Sequence, residues 1–270
     1  MMVMRLLMLA YARSMDGDDR HQRTVFEELH KDLPREAPGS SACTRRALGL
    51  CVAGSDATAS LQVLDLGCGP GAQTVDLATE LPGAHIVALD LHGPYLGELR
   101  RRCRRAGVVE RVSAVQGDLA RLPLRRGGWD LIWCEGAAYI IGVAAALDAW
   151  RGLLRPGGRL AFTDAVWLTN DPPAAARAFW TEYPDMTDLD TRRAQISAAG
   201  WRLLGDFVLP PEAWCDGYYE PLAARIARLR ARYAGDTVAE AVLDAHQIEI
   251  DTFRRYGDSY GYAFFVVAPG

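Results

Sequence analysis

Val63-Leu64-Asp65-Leu66-Gly67-Cys68-Gly69-Pro70-Gly71-Ala72 is the stretch on which the fold turns. Val63 to Leu66 is a short apolar run bounded by glycines, and an apolar-periodic segment follows from Ala72 to Leu81. That order reads as a buried strand, a tight turn and a helix, the opening unit of an α/β nucleotide-binding sheet. Glycine is needed where the backbone takes a positive φ or lets a ligand touch it with no Cβ between, so glycines at alternate positions describe a loop pressed against something flat. The spacing is G-x-G-x-G. It differs from the G-x-G-x-x-G of a dinucleotide site, where a helix N-terminus meets a pyrophosphate. Asp65 adds a carboxylate inside the turn, which repels phosphate and suits a cation. The loop therefore implies a nucleoside-like, positively charged ligand, although glycines that only make a tight turn would spell the same letters.

The residues Asp65, Gly67, Gly69 and Gly71 resemble motif I of the class I S-adenosylmethionine-dependent methyltransferases. The methyl donor of that family carries a sulfonium and an ammonium and no phosphate, in agreement with the reading of the loop. The next strand, His85 to Leu89, ends in Asp90, where a carboxylate can accept both hydroxyls of a ribose. Leu91 would cover the adenine, and His92 reads as a solvent-exposed loop histidine. A third strand, Val112 to Gln116, runs into Gly117-Asp118-Leu119, which matches the family's adenine-contacting position; Asp118 as a plain turn former is the other reading. By resemblance the cofactor site comprises Asp65, Gly67, Cys68, Gly69, Gly71, Asp90, Leu91, Gly117, Asp118, Leu119 and Glu135, and the cofactor is S-adenosyl-L-methionine, leaving as S-adenosyl-L-homocysteine.

A fourth strand, Leu131 to Cys134, delivers Glu135 to the crevice at the strand tips. Glu135 could take a proton from the methyl acceptor, orient that acceptor, or bind the ammonium group of the donor. The run from Glu135 to Gly142 is similar to small bacterial methyltransferases of the ubiquinone and menaquinone type, which act on small molecules. The [DN]-P-P-[YF] of base N-methylating enzymes and the Pro-Cys of cytosine C5 enzymes are both absent here. Helix Val143 to Leu154, Arg155-Pro156-Gly157-Gly158 and strand Arg159 to Thr163 match the family's turn before its fifth strand, so the resemblance covers residues 61–165. Asp164, Asn170 and Asp171 lack the spacing of a catechol-type Mg²⁺ site, and no metal is expected.

Composition bounds the rest. The chain has 270 residues, half of them hydrophobic, and a formal net charge of −4. It can bury a large core, and it lacks the basic footprint of a nucleic-acid partner. Its 6 cysteines form no C-x-x-C, so neither a zinc site nor a disulfide framework is implied, and a reduced cytoplasm fits. The apolar start, Met1 to Ala10, is far shorter than the roughly 20 residues of a spanning helix, so no membrane association is expected. Residues 1–19 read as an arm. Basic residues are almost all Arg, and the run Arg100 to Arg105 reads as a solvated helix face.

Residues 20–270 read as one methyltransferase domain. Its N-terminal helices (20–53) would fold over the site or pack on the sheet edge, and two cap insertions (167–190 and 210–259) carry aromatic residues. The expected fold is α/β and Rossmann-like: a seven-stranded mixed sheet of order 3-2-1-4-5-7-6 by resemblance, with an antiparallel last strand from Tyr260 to Ala268. Tyr139, Trp167, Trp180, Tyr183, Trp214 and Tyr219 are candidates to line an apolar acceptor pocket, or else to pack a small lid. Glu135, Tyr139 and His246 are the candidate catalytic residues, His246 for its near-neutral ordinary pKa. The expected activity is methyl transfer to an O, N or C nucleophile of a small metabolite, in specialised metabolism; a homodimer is compatible with the chain. A protein methyltransferase or a noncatalytic cofactor-binding subunit are the alternatives.

Overall fold

The computed structural model describes residues 17–52, 60–122 and 124–270. The arm expected over 1–19 therefore lies outside the described residues except for 17–19, which belong to helix α1, Gly17–His30. Gly54 to Ser60, which reads in the sequence as a polar linker into the first strand, likewise falls outside them but for Ser60.

Strand β1, Gln62–Leu66, pairs in parallel with β2, His85–Asp90, on one side and with β4, Trp129–Cys134, on the other. A strand covered on both faces needs no polar alternation, and this is why Val63 to Leu66 reads as a continuous apolar run. The period of two still decides where each side chain goes. Leu64 and Leu66 enter the core on one face of the sheet, and Val63 enters the core on the other. Asp65 shares the face of Val63, so its carboxylate is forced beneath helix α3, Ala72–Glu80. Helix α2, Ser41–Cys51, precedes β1 and is capped by the Ser40 side chain, which accepts from the Cys43 N–H.

The remaining elements follow as α4 (Gly93–Arg105), β3 (Val112–Gln116), α5 (Val143–Arg151), β5 (Leu154–Trp167), α6 (Ala174–Phe179), β6 (Thr187–Asp188), α7 (Leu189–Ala198) and β7 (Trp201–Val208). A helical turn at Glu212–Trp214 passes through a π-helical stretch, Cys215–Tyr219, into α8, Glu220–Arg232. Helix α9, Thr237–Tyr256, and strand β8, Tyr260–Pro269, close the chain. The sheet runs β3-β2-β1-β4-β5-β8-β7, with the two-residue β6 beside β5. With β6 set aside this is the expected order, and β8 lies antiparallel between β5 and β7. The fifth helix stops at Arg151, short of the expected Leu154, because Leu154 already pairs with Trp129 in the sheet.

Helix α1 and the second insertion meet above the sheet. His21 on α1 bonds the carboxylate of Asp236, which caps α9, at 2.6 Å, and the Tyr233 hydroxyl donates to Glu28 at 2.7 Å. Val25, Leu29, Ile226 and Leu243 fill the space between these helices with no more than 1% exposure. The N-terminal helix and the second insertion thus form one cap with a shared apolar core.

Candidate functional site

Between this cap and the tips of β1, β2 and β4 lies a cavity of about 170 Å³. Its floor is the glycine loop. Gly67, Gly69 and Gly71 all take positive φ, 68°, 53° and 87°. They differ in what a Cβ would meet. At Gly71 it would stand 2.1 Å from Leu99 Cδ1, so that glycine lets α3 and α4 close on one another. At Gly69 nothing lies nearer than Glu36 Cγ at 3.8 Å, so the missing Cβ leaves backbone open to the cavity.

Asp90 stands at the tip of β2, beside this loop. Its Oδ2 accepts from the Gly69 N–H and its Oδ1 from the His92 N–H, both at 2.8 Å. The carboxylate is thereby held in one orientation on the cavity wall. Burial pushes its pKa up, against the pull of those two N–H donors. Cys68, Gly117, Asp118, Leu119 and Leu91 join it on the wall. One Asp118 oxygen accepts from the Ala120 N–H at 2.8 Å, so the residue forms the turn and also faces the cavity.

Several expected placements need correction. Asp65 is fully buried and does not reach the cavity: its carboxylate accepts from the Thr74 hydroxyl at 2.6 Å and from Gln73 Nε2 at 3.4 Å. Desolvation pushes it up to about 7. Gln73 is the residue that carries the influence of Asp65 into the cavity lining. His92 is buried, not exposed, because the first turn of α4 folds its ring edge-on to Tyr95 at 4.5 Å.

Glu135 lines the cavity, but both its oxygens are committed. Oε2 accepts from Arg35 at 3.0 Å, and Oε1 accepts from the Thr44 hydroxyl and the Trp133 indole N–H, each at 2.8 Å. Arg35 also reaches Asp76 at 3.4 Å, so Glu135 anchors the 34–40 loop that roofs the cavity. His246 is fully buried in the cap. Its Nδ1 bonds the Val242 carbonyl at 2.7 Å and its Nε2 bonds His30 Nε2 at 2.9 Å, leaving no ring nitrogen to act as a base. Burial pushes its pKa down to about 3.

Tyr139 does line the cavity, and burial raises its phenol so that it stays protonated. The other five aromatic candidates do not line it. Trp214 stacks on Phe253 with ring centroids 4.4 Å apart, and Trp180 and Trp167 pack edge-on to Tyr260. The Tyr183 hydroxyl donates to Asp164 at 2.7 Å, and that of Tyr219 donates to Glu249 at 3.1 Å. An insertion that leaves the end of a strand needs a core of its own, and these rings supply it.

The cavity also draws on residues that sequence reasoning passed over: His30, Arg35, Glu36 and Tyr218. His30 lies one turn after Phe26 on the buried stripe of α1, and Glu249 falls one turn before Phe253 on that of α9. A polar letter at a core position of an amphipathic helix is the signal that could have found both. Burial pushes the Glu249 carboxyl up to about 7.

A family model described as a methyltransferase domain matches residues 63–158. Over 136 residues the chain is 35% identical to a malonyl-[acyl-carrier protein] O-methyltransferase of Dechloromonas aromatica, covering 49% of this chain and 48% of that protein. A protein of the same name from Enterobacter lignolyticus is 32% identical over 169 residues, covering 61% of this chain and 62% of its own length. The chain thus spans about half to three-fifths of the length of these two curated relatives. A crystal structure of a SAM-dependent methyltransferase from Geobacter sulfurreducens, in complex with S-adenosyl-L-homocysteine, superposes with a TM-score of 0.79 at 20% identity, over 92% of this chain and 98% of that one.

Proposed function

Because residues 63–158 belong to the methyltransferase-domain family, we propose that this chain is an S-adenosylmethionine-dependent methyltransferase acting on an O, N or C nucleophile of a small molecule. The observation that carries the reading is Asp90. A carboxylate held by the Gly69 and His92 N–H groups beside an open glycine loop is built to accept ribose hydroxyls, and Asp118 stands along the same wall for an amino group of the base. No lysine or arginine lies on the loop itself, in keeping with a donor that has no phosphate.

The bound donor would supply an electrophilic methyl group on its sulfonium. The residues of this chain bind and align. Glu135 and Arg35 hold the roof loop, Gln73 extends the buried Asp65 toward the cavity, and Tyr139 with Tyr218 presents aromatic faces that suit a sulfonium by cation–π attraction. With Glu135 and His246 both engaged elsewhere, alignment supplies the rate for an acceptor that is already nucleophilic. The enclosed, aromatic mouth favours a small molecule over a polypeptide. In this respect a carrier-bound or free metabolite, as the names of the relatives suggest, is the class of acceptor to screen.

Calorimetric titration with S-adenosylmethionine and S-adenosylhomocysteine tests the reading. Saturable binding is expected, and Asp90→Ala should weaken it roughly 10- to 100-fold, the value of losing hydrogen bonds to a charged group. Absence of saturable binding by the unaltered chain would overturn the reading.

A further inference from the structure

The cap-side end of the cavity is bounded by tyrosines from three separate elements. Tyr139 lies in the turn after β4 and Tyr218 in the π-helical stretch Cys215–Tyr219, and both line the cavity. Tyr262 comes from β8, and its Cε2 lies 4.0 Å from where a Cβ of the lining residue Gly136 would stand. Behind this wall the Tyr219 hydroxyl donates to Oε1 of Glu249 on α9 at 3.1 Å, with the rings of Tyr218 and Tyr219 5.0 Å apart. Burial raises the phenols of Tyr139, Tyr218, Tyr219, Tyr260 and Tyr262, and the Glu249 charge raises each of them further, so this one carboxyl faces them all.

The phenols therefore keep their protons and can donate. Tyr218 is 3% exposed, and among the described residues neither its hydroxyl nor that of Tyr139 has a hydrogen-bond partner. A buried hydroxyl without a partner forgoes the hydrogen bonds it makes in water, and a ligand group would restore them. Glu249 Oε1 is engaged by Tyr219, while no described residue donates to Oε2. This end of the cavity thus presents two donors and an acidic acceptor to an incoming group.

The charge of the lining points the same way. Arg35 is the one lysine or arginine among the described lining residues, and Glu135 and Asp76 hold it. Glu36, Asp90, Asp118 and Glu135 share that lining, and Glu249 adds a further carboxyl behind it. A bound carboxylate would meet these groups with no uncommitted guanidinium to balance it. A hydroxyl or amino group can instead donate to Glu249.

We propose that this end of the cavity is the methyl-acceptor subsite, where Glu249 accepts a hydrogen bond from a hydroxyl or amino nucleophile and turns a carboxylate away. The proposal rests on the cofactor reading above: the faces of Tyr139 and Tyr218 suit the sulfonium, so the nucleophile must approach beside them. It narrows the acceptor to a group that carries hydrogen on oxygen or nitrogen.

Three probes of one shape test it: 2-phenylethanol, phenethylamine and phenylacetate, titrated at about pH 8 by ligand-observed NMR into the chain saturated with S-adenosylhomocysteine. Burial pushes Glu249 up to about 7, so it is charged under those conditions. The alcohol and the amine should bind at least about tenfold more tightly than phenylacetate, the value of one like charge at close range. In Glu249→Gln, which keeps an accepting oxygen without the charge, the gap between alcohol and phenylacetate should close to about threefold, with S-adenosylhomocysteine affinity within about threefold of the unaltered chain. In Glu249→Leu the alcohol should weaken about tenfold. Melting curves accompany each variant, and if Glu249→Leu does not fold, Glu249→Gln decides. Phenylacetate bound as tightly as the alcohol by the unaltered chain, an unchanged gap in Glu249→Gln, or no binding of any probe overturns the proposal and leaves the cofactor reading standing. Failure of the unaltered chain to bind S-adenosylhomocysteine overturns both.

Discussion

Glu135 shows how one residue changes meaning between sequence and structure. At the tip of β4 it reads as a base, a substrate anchor or a partner of the donor's ammonium group, and the structure spends both its oxygens on Arg35, Thr44 and Trp133. The Arg35 and Glu135 side chains are 8% and 3% exposed, so neither charge is solvated without the other. Removing one member of such a pair typically costs about 3–5 kcal/mol. Glu135→Gln is therefore expected to lower unfolding free energy by an amount of that order in urea titrations, with catalytic loss following from a loosened roof. A variant of native stability with depressed turnover would return Glu135 to the acceptor. What was legible at this scale was the wall that the glycine pattern itself builds, because Gly67 to Gly71, Asp90 and Asp118 are placed by local turns at strand tips. Arg35, Glu36 and His30 were not legible. Their place in the site depends on α1 meeting α9, and no short-range pattern encodes the pairing of segments more than 200 positions apart.

At the scale of elements, the loop that joins β1 to α3 separates packing from binding within three residues. Gly71 at φ 87° lets Leu99 of α4 approach to where a Cβ would be, while Gly69 at φ 53° faces the cavity. Gly71→Ala should cost about 2–5 kcal/mol of stability, from left-handed strain together with overpacking against α4. Gly69→Ala should cost only about 1–2 kcal/mol of stability, for the strain alone. Its Cβ would instead intrude on the ligand, weakening S-adenosylhomocysteine about 5- to 100-fold, the binding equivalent of an overpacked methyl. Urea unfolding and calorimetry on the two variants separate these outcomes, and equal stability losses would contradict the division. The sheet was legible because its central strands are apolar runs closed by turn residues. The two-residue β6 was not, since so short a strand carries no period. The aromatic insertions were legible as a cap but not in their role, because composition alone does not distinguish a ring that packs from a ring that lines a pocket.

Across the whole molecule, buried titratable groups pull stability in opposite directions with pH. Asp65 and Glu249 are pushed up to about 7 from ordinary values of 3.8 and 4.5, while His30 and His246 are pushed down to about 3 from 6.5. For the acids the native state holds more protons than the unfolded chain between the ordinary value and 7, so their contribution to stability shrinks as pH rises through that window. For the histidines the native state holds fewer protons between 3 and 6.5, so theirs shrinks as pH falls. The acids are the larger party, since Glu36, Asp76, Asp90 and Asp164 are raised by burial as well, whereas His92 is the one further histidine lowered by it among the described residues. The unliganded chain should accordingly lose stability between about pH 5 and 7, by up to about 1.4 kcal/mol per pH unit for each acid still titrating. Asp65→Asn removes one acid while keeping a side chain that can accept from Thr74. Its stability relative to the unaltered chain should rise steadily from pH 4.5 to 7 and level off above, as urea unfolding at stepped pH would register. A difference that stays flat across that range would mean that Asp65 is ionised throughout, and that the buried carboxylate under the glycine loop is stabilised as an anion by Thr74 and Gln73 far more strongly than its burial opposes.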